Sequence, residues 1–275
     1  MPSSIPTLCG SLAGQPFTFN VKVHNAAYQA LGVDYTFVCF GVDDAAGGVQ
    51  AMRTLGIRGL NVTMPHKQAV IPFLDALDET AHEIGAVNTI DNRDGFLTGY
   101  NTDCIGAVRA IEEASPLDGR RVALLGAGGA ARAIAWGMRR AGAEVTLFNR
   151  TEERGEAFAR EFGIKFAGPL SRFSASDFDG VVNATAAGYR APDASPLAPE
   201  QLAPHLFVMD AAFIPVETKL IRDARGAGCR TVNGTRMLLH QFCGQVELYT
   251  GKPAPFEVMS VALLDEISRS QLSPV

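Results

Sequence analysis

The sequence at residues 122–131 is Val122-Ala123-Leu124-Leu125-Gly126-Ala127-Gly128-Gly129-Ala130-Ala131. An apolar run passes abruptly into glycines and continues with small residues that favour a helix. A buried strand, a tight turn and a helix in this order are typical of a dinucleotide-binding βαβ unit. Gly126 permits the tight turn, Gly128 lets the backbone approach a pyrophosphate, and Ala131 allows the helix to pack closely on the strand. The helix N-terminus at Gly129 and Ala130 is then expected to face the phosphates.

Apolar runs alternate with segments of helical spacing on both sides of this turn. The pattern predicts strands at 34–40, 59–64, 86–91, 97–100, 121–125, 144–148, 180–183, 206–210 and 230–232. It predicts helices at 45–55, 66–77, 80–85, 103–113, 130–141, 152–162, 237–249 and 255–270. Strands and helices that alternate in this way indicate an α/β protein, with parallel sheets covered by helices.

The composition excludes several classes of protein. The chain has 275 residues, 47% of them hydrophobic and 19% charged, and a net charge of -5, which is typical of a globular protein and not of a nucleic-acid-binding one. No apolar run is long enough to span a membrane and no secretory signal is evident, so we expect a cytoplasmic protein. The five cysteines show no close pairing, so neither a disulfide framework nor a metal site is predicted. The oligomeric state does not follow from these features.

The end of the strand at 144–148 distinguishes NAD from NADP. An acidic residue at this point would bind the ribose 2′-hydroxyl and repel a 2′-phosphate. The sequence is instead Asn149-Arg150-Thr151, and Arg154 follows. Two guanidinium groups suit a dianionic phosphate, so NADP is predicted. NAD stays an alternative, because Glu152 and Glu153 come directly after this segment.

Three short polar clusters lie at the ends of predicted elements in the first half of the chain. They are Asn61-Val62-Thr63-Met64-Pro65-His66-Lys67, Gly85-Ala86-Val87-Asn88-Thr89 and Gly99-Tyr100-Asn101-Thr102-Asp103. Residues at the ends of strands and helices commonly line clefts. Together the clusters indicate a site for one polyhydroxylated ligand.

These clusters, the glycine turn and Asn149-Arg150-Thr151 together resemble the shikimate dehydrogenase family in order and spacing over nearly the whole chain. Three later segments are also similar to signatures of the family: Asn183-Ala184-Thr185-x-x-Gly188, Asp210 through Pro215 to Thr218, and Gly234-x-x-Met237-Leu238-x-x-Gln241. The resemblance implies reversible, NADP-dependent oxidation of shikimate to 3-dehydroshikimate in aromatic amino acid biosynthesis. It adds Thr185, Gly234 and Met237 to the residues expected to bind the cofactor.

The same resemblance implies that Lys67 and Asp103 form the catalytic pair. An alcohol proton needs a nearby acceptor, and a lysine held close to a carboxylate is suited to exchange one. Lys67 is expected to act as acid or base, and Asp103 to orient it and bind the substrate. Thr63, Asn88 and Gln241 are expected to bind ring hydroxyls through uncharged donors and acceptors.

The chain departs from the family around the substrate. The family's carboxylate-binding serine pair, which precedes a histidine on the first helix, is replaced by Thr18 and Asn20. Phe213 replaces the family's usual tyrosine, and Arg236 stands where the family usually has glycine. We still expect Thr18, Asn20 and Phe213 to contact the substrate. Quinate or an amino-substituted shikimate as the preferred substrate, and a catalytically silent NADP-binding regulator, are therefore alternative hypotheses.

The family architecture divides the chain into two domains. We expect an N-terminal α/β substrate-binding domain over residues 1–103, completed by C-terminal helices at 238–275. A Rossmann-type doubly wound domain is expected to bind NADP over residues 104–237. Two domains of this size agree with the length of the chain.

Overall fold

A computed structural model describes residues 5–15 and 18–272, of which 270–272 are described by their backbone alone. The chain divides into two compact units. Unit 1 comprises Met1–Thr102 and Gln241–Val275, and unit 2 comprises Asp103–His240. Among the helices in the described ranges, none combines the length and the apolar character needed to cross a membrane.

Unit 1 contains a mixed six-stranded sheet with the strand order β2-β1-β3-β5-β6-β4. Its strands are β1 (Thr7–Ala13), β2 (Tyr35–Gly41), β3 (Gly59–Val62), β4 (Ala76–Leu77), β5 (Thr89–Arg93) and β6 (Phe96–Tyr100). Its first three helices are α1 (Phe19–Ala30), α2 (Ala45–Thr54) and α3 (Glu79–Ile84). The apolar side chains of Leu12, Met52, Leu60 and Ile90 form part of its core.

The register of this sheet brings the ends of three strands to one edge. β1 and β3 run parallel, whereas β5 runs antiparallel to both β3 and β6. Asn61 near the end of β3 therefore pairs with Thr89 at the start of β5, and Thr89 pairs with Tyr100 at the end of β6. We call this the polar edge, because the three polar clusters of the sequence lie along it.

Unit 2 contains a parallel six-stranded sheet with the strand order β12-β11-β10-β7-β8-β9. Its strands are β7 (Arg121–Leu125), β8 (Glu144–Phe148), β9 (Lys165–Phe166), β10 (Gly180–Asn183), β11 (Phe207–Asp210) and β12 (Arg230–Val232). Counted along the unit, this is the doubly wound order 3-2-1-4-5-6. The order reverses between β7 and β10, and open α/β sheets bind ligands at the carboxyl ends of the strands at such a point.

The remaining helices complete the two units. They are α4 (Thr102–Glu112), α5 (Gly129–Arg140), α6 (Glu152–Phe162), α7 (Lys219–Gly226), α8 (Gly234–Thr250) and α9 (Phe256–Leu272). In unit 1, α9 packs against α1. In unit 2, the buried face of α5 includes small residues, and two of them, Ala131 and Ala135, have no exposed surface. Such small side chains let the helix pack closely on the sheet.

The predicted helix over residues 66–77 is wrong. Residues 64–70 form turns, Ile71–Phe73 is a single 3-10 turn, and Ala76–Leu77 is strand β4. Pro72 has no amide hydrogen, and its ring crowds the preceding turn, so it breaks the interior of a helix. The carbonyl oxygen of Lys67 accepts a hydrogen bond from the Val87 N–H at 2.8 Å. This hydrogen bond connects the turn at residues 64–70 to the polar cluster at residues 85–89.

Candidate active site

The turn after β3 carries Thr63 and Lys67, both half-buried. The backbone N–H of Thr63 donates to the Leu12 carbonyl oxygen at 3.1 Å, which fixes the start of the turn against β1. The bond from Val87 to the Lys67 carbonyl oxygen fixes its other end. Two predicted site residues are thus held along the polar edge by backbone hydrogen bonds on either side.

Asn88 is fully buried and is held through both its backbone and its side chain. Its backbone N–H donates to the Tyr100 carbonyl oxygen at 3.0 Å, and its own carbonyl oxygen accepts from the Val62 N–H at 2.7 Å. Its side-chain Oδ1 accepts from the Thr102 N–H at 2.7 Å and from the Thr89 hydroxyl at 2.9 Å. Because a backbone N–H can only donate, these bonds identify the oxygen end of the amide and so fix the orientation of the whole side chain.

The polar cluster after β6 leads into helix α4. The side chain of Asn101 is 2% exposed and donates to the Ala86 carbonyl oxygen at 2.9 Å. Asp103, the first residue of unit 2, is 7% exposed and lies in the first turn of α4. Partial positive charge at a helix N-terminus stabilises a carboxylate there. The predicted catalytic carboxylate therefore lies at the N-terminal end of α4.

The residues that replace the family's serine pair lie at the start of α1. Thr18 is exposed and makes no side-chain capping bond with any described residue. Asn20 is 5% exposed, and within the described residues its Oδ1 is a buried oxygen without a hydrogen-bond partner. An unsatisfied buried acceptor is costly in free energy, so Asn20 is an unusual feature of this site. Gln241, another predicted substrate ligand, lies in α8 and is 9% exposed.

The glycine turn of unit 2 contains three glycines, and the structure leaves no room for a larger side chain at only one of them. Gly126 has a φ of +95°, and an added Cβ would lie 2.8 Å from Thr185 Cγ2. At Gly128 the nearest neighbour of an added Cβ is the Ala184 carbonyl oxygen at 3.7 Å, and at Gly129 no described atom lies within 4 Å. The packing of the protein therefore requires glycine only at the first position. The open space at the other two lies before the N-terminus of α5, where backbone N–H groups suit a phosphate.

Ala127, in the middle of this turn, is braced by the segment that follows β8. Its N–H donates to Asn149 Oδ1 at 3.2 Å, and its carbonyl oxygen accepts from Arg154 Nε at 3.1 Å. The amide nitrogen of Asn149 also donates to the Thr151 carbonyl oxygen at 2.8 Å. Arg154 thus holds the turn through Nε, and the two terminal nitrogens of its guanidinium group can donate to a bound phosphate.

The end of β8 carries cationic and neutral side chains but no acid. Arg150 and Thr151 are exposed, and Thr151 is the N-cap residue of α6. Glu152 and Glu153 lie in the first turn of α6, where negative charge stabilises the helix. Their position gives them a structural role as helix-start residues.

A buried hydrogen-bond network holds Thr185 beside the glycine turn. The backbone N–H and the hydroxyl of Thr185 both donate to Asn183 Oδ1, at 2.9 and 2.7 Å. The amide nitrogen of Asn183 donates to Asp210 Oδ1 at 2.9 Å, and the Thr218 hydroxyl donates to Asp210 Oδ2 at 2.6 Å. Burial raises the pKa of Asp210, against the opposing effect of hydrogen bonds from Thr218, Ala212 and Asn183. The sequence pattern identified the segments that contain Asn183, Asp210 and Thr218, but it did not predict the hydrogen bonds that join them.

The other predicted ligands in unit 2 lie near the end of β11 and the start of α8. Phe213 is half-buried, and its ring centroid lies 5.7 Å from that of Tyr189. Gly234 begins α8, where an added Cβ would lie 2.5 Å from the Ala212 carbonyl oxygen. Met237 is 8% exposed in the same helix. Close packing thus accounts for the glycine at position 234.

Arg236, which replaces a glycine of the family pattern, has a structural role. Its Nε and Nη2 donate to the two carboxylate oxygens of Glu113 at 2.7 and 2.5 Å. His240 Nε2 lies 2.6 Å from the same carboxylate. Burial acts to raise the pKa of Glu113, but the hydrogen bonds from Arg236 and His240 outweigh it and the pKa is lowered. These bonds fasten the start of α8 to the residue that follows α4.

Two family models match this chain. A model described as the shikimate dehydrogenase substrate binding domain matches residues 16–90, and one described as shikimate / quinate 5-dehydrogenase matches residues 109–197. The chain is also similar to a shikimate dehydrogenase (NADP(+)) of Moorella thermoacetica, with 39% identity over 96% of this chain and 95% of that protein.

Solved structures share the fold over nearly the whole chain. A shikimate dehydrogenase in complex with NADP+ gives a TM-score of 0.90 at 35% identity, covering 97% of this chain and 98% of that one. A ligand-free 5-ketofructose reductase of Gluconobacter sp. strain CHM43 gives a TM-score of 0.91 at 32% identity, covering 96% and 100%. The predicted α/β class, with its Rossmann-type doubly wound unit, is confirmed.

Proposed function

This chain belongs to the shikimate dehydrogenase family, and we propose on that basis that it interconverts shikimate and 3-dehydroshikimate with NADP. In the oxidation, the ring hydroxyl loses its proton to a base, the carbon that bears it loses a hydride, and a ketone forms. Unit 1 binds the small-molecule substrate and unit 2 binds the nucleotide. These assignments follow the family models, which match a substrate-binding region and a dehydrogenase region in that order.

The strongest support for the substrate site is the fixed amide of Asn88. The Thr102 N–H holds its oxygen at 2.7 Å, so its NH₂ group meets the substrate as a preorganised donor. The neighbouring Val87 N–H holds the backbone of Lys67 at 2.8 Å. A polyol is well recognised by neutral donors that need no reorganisation on binding.

Lys67 and Asp103 carry the proton chemistry in this proposal. Lys67 takes the proton of the reacting hydroxyl in oxidation and returns it in reduction, because the amine of a half-buried residue on a fixed turn is suited to general acid–base work. Asp103 orients that amine and accepts a hydrogen bond from the substrate. Thr63 and Gln241 bind further hydroxyls of the ring.

When bound, NADP supplies the hydride acceptor of the oxidation. The space over Gly128 and Gly129, before the N-terminus of α5, suits the pyrophosphate. Arg150 and the terminal nitrogens of Arg154 bind the 2′-phosphate, since no acid at the end of β8 opposes it. The remaining cofactor ligands lie on the same unit; they are Ala127, Ala130, Asn149, Thr151, Thr185, Gly234 and Met237.

A second substrate class is favoured by the residues at the start of α1. The buried Oδ1 of Asn20 has no hydrogen-bond partner among the described residues, and a hydroxyl donor of a ligand would satisfy it. The similar 5-ketofructose reductase is named for an uncharged ketose. An uncharged polyhydroxy ketone therefore joins quinate and amino-substituted shikimate as the alternatives to test.

The catalytic assignment is tested by replacing Lys67. We expect Lys67→Ala to lower kcat about 10²- to 10⁴-fold, the usual contribution of a general acid–base, while NADP affinity and the melting temperature are retained. Lys165→Ala is the matched control, because Lys165 is exposed on the short strand β9. Unchanged turnover of Lys67→Ala would refute its role. NADP binding without turnover of any substrate by the wild type would favour the silent regulator.

A further inference from the structure

A continuous chain of polar side chains runs through unit 1 from α1 to Asn88. All its members are fully buried; they are His24, Gln245, Thr89, Thr102 and Asn88. Gln245 Nε2 lies 3.1 Å from Thr89 Oγ1 and 3.4 Å from Thr102 Oγ1. These hydroxyl oxygens lie 2.9 and 3.2 Å from Asn88 Oδ1. Gln245 is thus linked to Asn88 through two parallel threonine bridges.

The direction of these hydrogen bonds follows from the chemistry of their ends. Asn88 Oδ1 already accepts from the Thr102 N–H, so the threonine hydroxyls donate to it as well. A hydroxyl has a single proton, and once this proton is given to Asn88 the oxygen has to accept from another group. The NH₂ group of Gln245 carries two protons, one for each threonine oxygen.

Without Gln245 the two threonines have a competing partner. Their hydroxyl oxygens lie 3.1 Å apart, close enough for one to donate to the other. A proton used in that bond is no longer given to Asn88. Gln245 therefore determines whether one hydroxyl or both hold the Asn88 oxygen.

The orientation of Gln245 is itself fixed from α1. Its Oε1 lies 3.2 Å from His24 Nε2, and the His24 ring is stacked on Phe37 with the centroids 4.1 Å apart. When the proton of the neutral His24 ring is on Nε2, the ring donates to this oxygen, and the NH₂ end of Gln245 then faces the threonines.

We propose that Gln245 is a positioning residue for the reaction, acting through Thr89 and Thr102 on Asn88. It commits both hydroxyls to the Asn88 oxygen and so holds the Asn88 NH₂ group in place for a substrate hydroxyl. This role rests on the proposed function of Asn88 as a substrate ligand. Gln245 acts on substrate affinity and leaves the proton chemistry of Lys67 unchanged.

The first test is Gln245→Met, which keeps the length of the side chain and removes its hydrogen bonds. We expect kcat/KM for shikimate to fall about tenfold, mainly through KM, since the variant loses the bonds that fix one ligand. The affinity for NADP is expected to stay unchanged, which also reports that the variant is folded. Gln50→Met, on the exposed surface of α2, is the matched control.

Thr89 provides a second test that does not depend on the folding of Gln245→Met. Thr89→Val removes one bridge and is expected to raise KM for shikimate severalfold. Thr89→Ser keeps the hydroxyl and is expected to restore most of the affinity. Equal losses in the two Thr89 variants would overturn the bridge, because a packing role would not separate them by their hydroxyl.

A double-mutant cycle with Asn88→Ala shows whether Gln245 acts through Asn88. In the Asn88→Ala background we expect Gln245→Met to change kcat/KM less than about twofold, because residues coupled through one network are not additive. If Gln245→Met lowers kcat/KM tenfold both in the wild type and in Asn88→Ala, the positioning role is overturned. It is also overturned if the wild type is active on shikimate and Gln245→Met is equally active. A wild type inactive on shikimate would instead overturn the proposed function and, with it, this role.

Discussion

Protonation of His24 is predicted to destabilise the fold as the pH falls below neutrality. The ring is fully buried, and burial lowers its pKa from the ordinary 6.5 to about 4, although the contacts with Asn20 and Gln245 act to raise it. Both ring nitrogens face acceptors, the Asn20 carbonyl oxygen at 2.9 Å and Gln245 Oε1 at 3.2 Å. A neutral ring donates to only one of them, and a protonated ring donates to both at the cost of a buried charge.

The sign and size of the effect follow from this pKa. Between pH 6.5 and about 4 the unfolded chain binds a proton at His24 that the folded chain does not. The stabilisation is therefore complete above the unfolded pKa and is lost as the pH falls through the folded pKa. The difference corresponds to about 3 kcal/mol of unfolding free energy. The nearby Tyr28 does not titrate in this range, because burial raises its pKa.

The assay is urea denaturation of the wild type and of His24→Gln between about pH 7 and pH 4. As the pH falls over this range, we expect the wild type to lose about 3 kcal/mol more unfolding free energy than His24→Gln loses. His205→Gln is the matched control, because His205 is exposed and its ring forms a hydrogen bond with the Ala175 carbonyl oxygen. A difference that is constant with pH would refute the reasoning.

Two further predictions concern the nucleotide site. Arg150→Ala is expected to raise KM for NADP about tenfold or more and to leave KM for NAD unchanged, since a hydrogen bond to a charged group contributes about 1.5–3 kcal/mol. Initial rates with both cofactors measure this, with the exposed Arg160→Ala as control, and equal effects on the two cofactors would contradict it. Gly126→Ala is expected to cost about 1–3 kcal/mol of stability and to weaken NADP binding, because its φ is +95° and the new Cβ meets Thr185. Thermal denaturation tests this against Gly226→Ala, where an added Cβ meets no described atom within 4 Å, and equal melting temperatures would contradict it.

The nucleotide-binding fold was predictable because its signals are local. The apolar strand, the glycine turn and the helix that follows occupy 20 consecutive residues, Arg121–Arg140, and the structure forms β7 and α5 from them. The strand at Glu144–Phe148 and the helix at Glu152–Phe162 were likewise predicted with their observed bounds. Each of these elements is specified by its own periodicity and by its glycine or polar boundaries.

Two features of unit 1 were harder to predict from local pattern. β1 was not predicted: it lies between β2 and β3 and is buried over residues 9–13, so it lacks the alternation of a half-exposed strand. The helix predicted over residues 66–77 failed because Pro72 outweighs the apolar spacing around it.

The support around the candidate ligands was beyond the sequence pattern for a different reason. Gln245 is 156 residues from Thr89 and 143 from Thr102, and its partner His24 is 221 residues away. No local periodicity relates positions so far apart. The resemblance to the family identified Asn88, but the contacts that orient its amide emerged only from the fold.

This chain is proposed to oxidise shikimate with NADP. The most direct measurement is the initial rate of the wild type with shikimate, quinate, amino-shikimate and an uncharged polyhydroxy ketone or its alcohol, each against NADP and NAD. We predict the highest kcat/KM for shikimate with NADP. Absence of NADP reduction by shikimate, beside clear activity on another substrate of the panel, would contradict it.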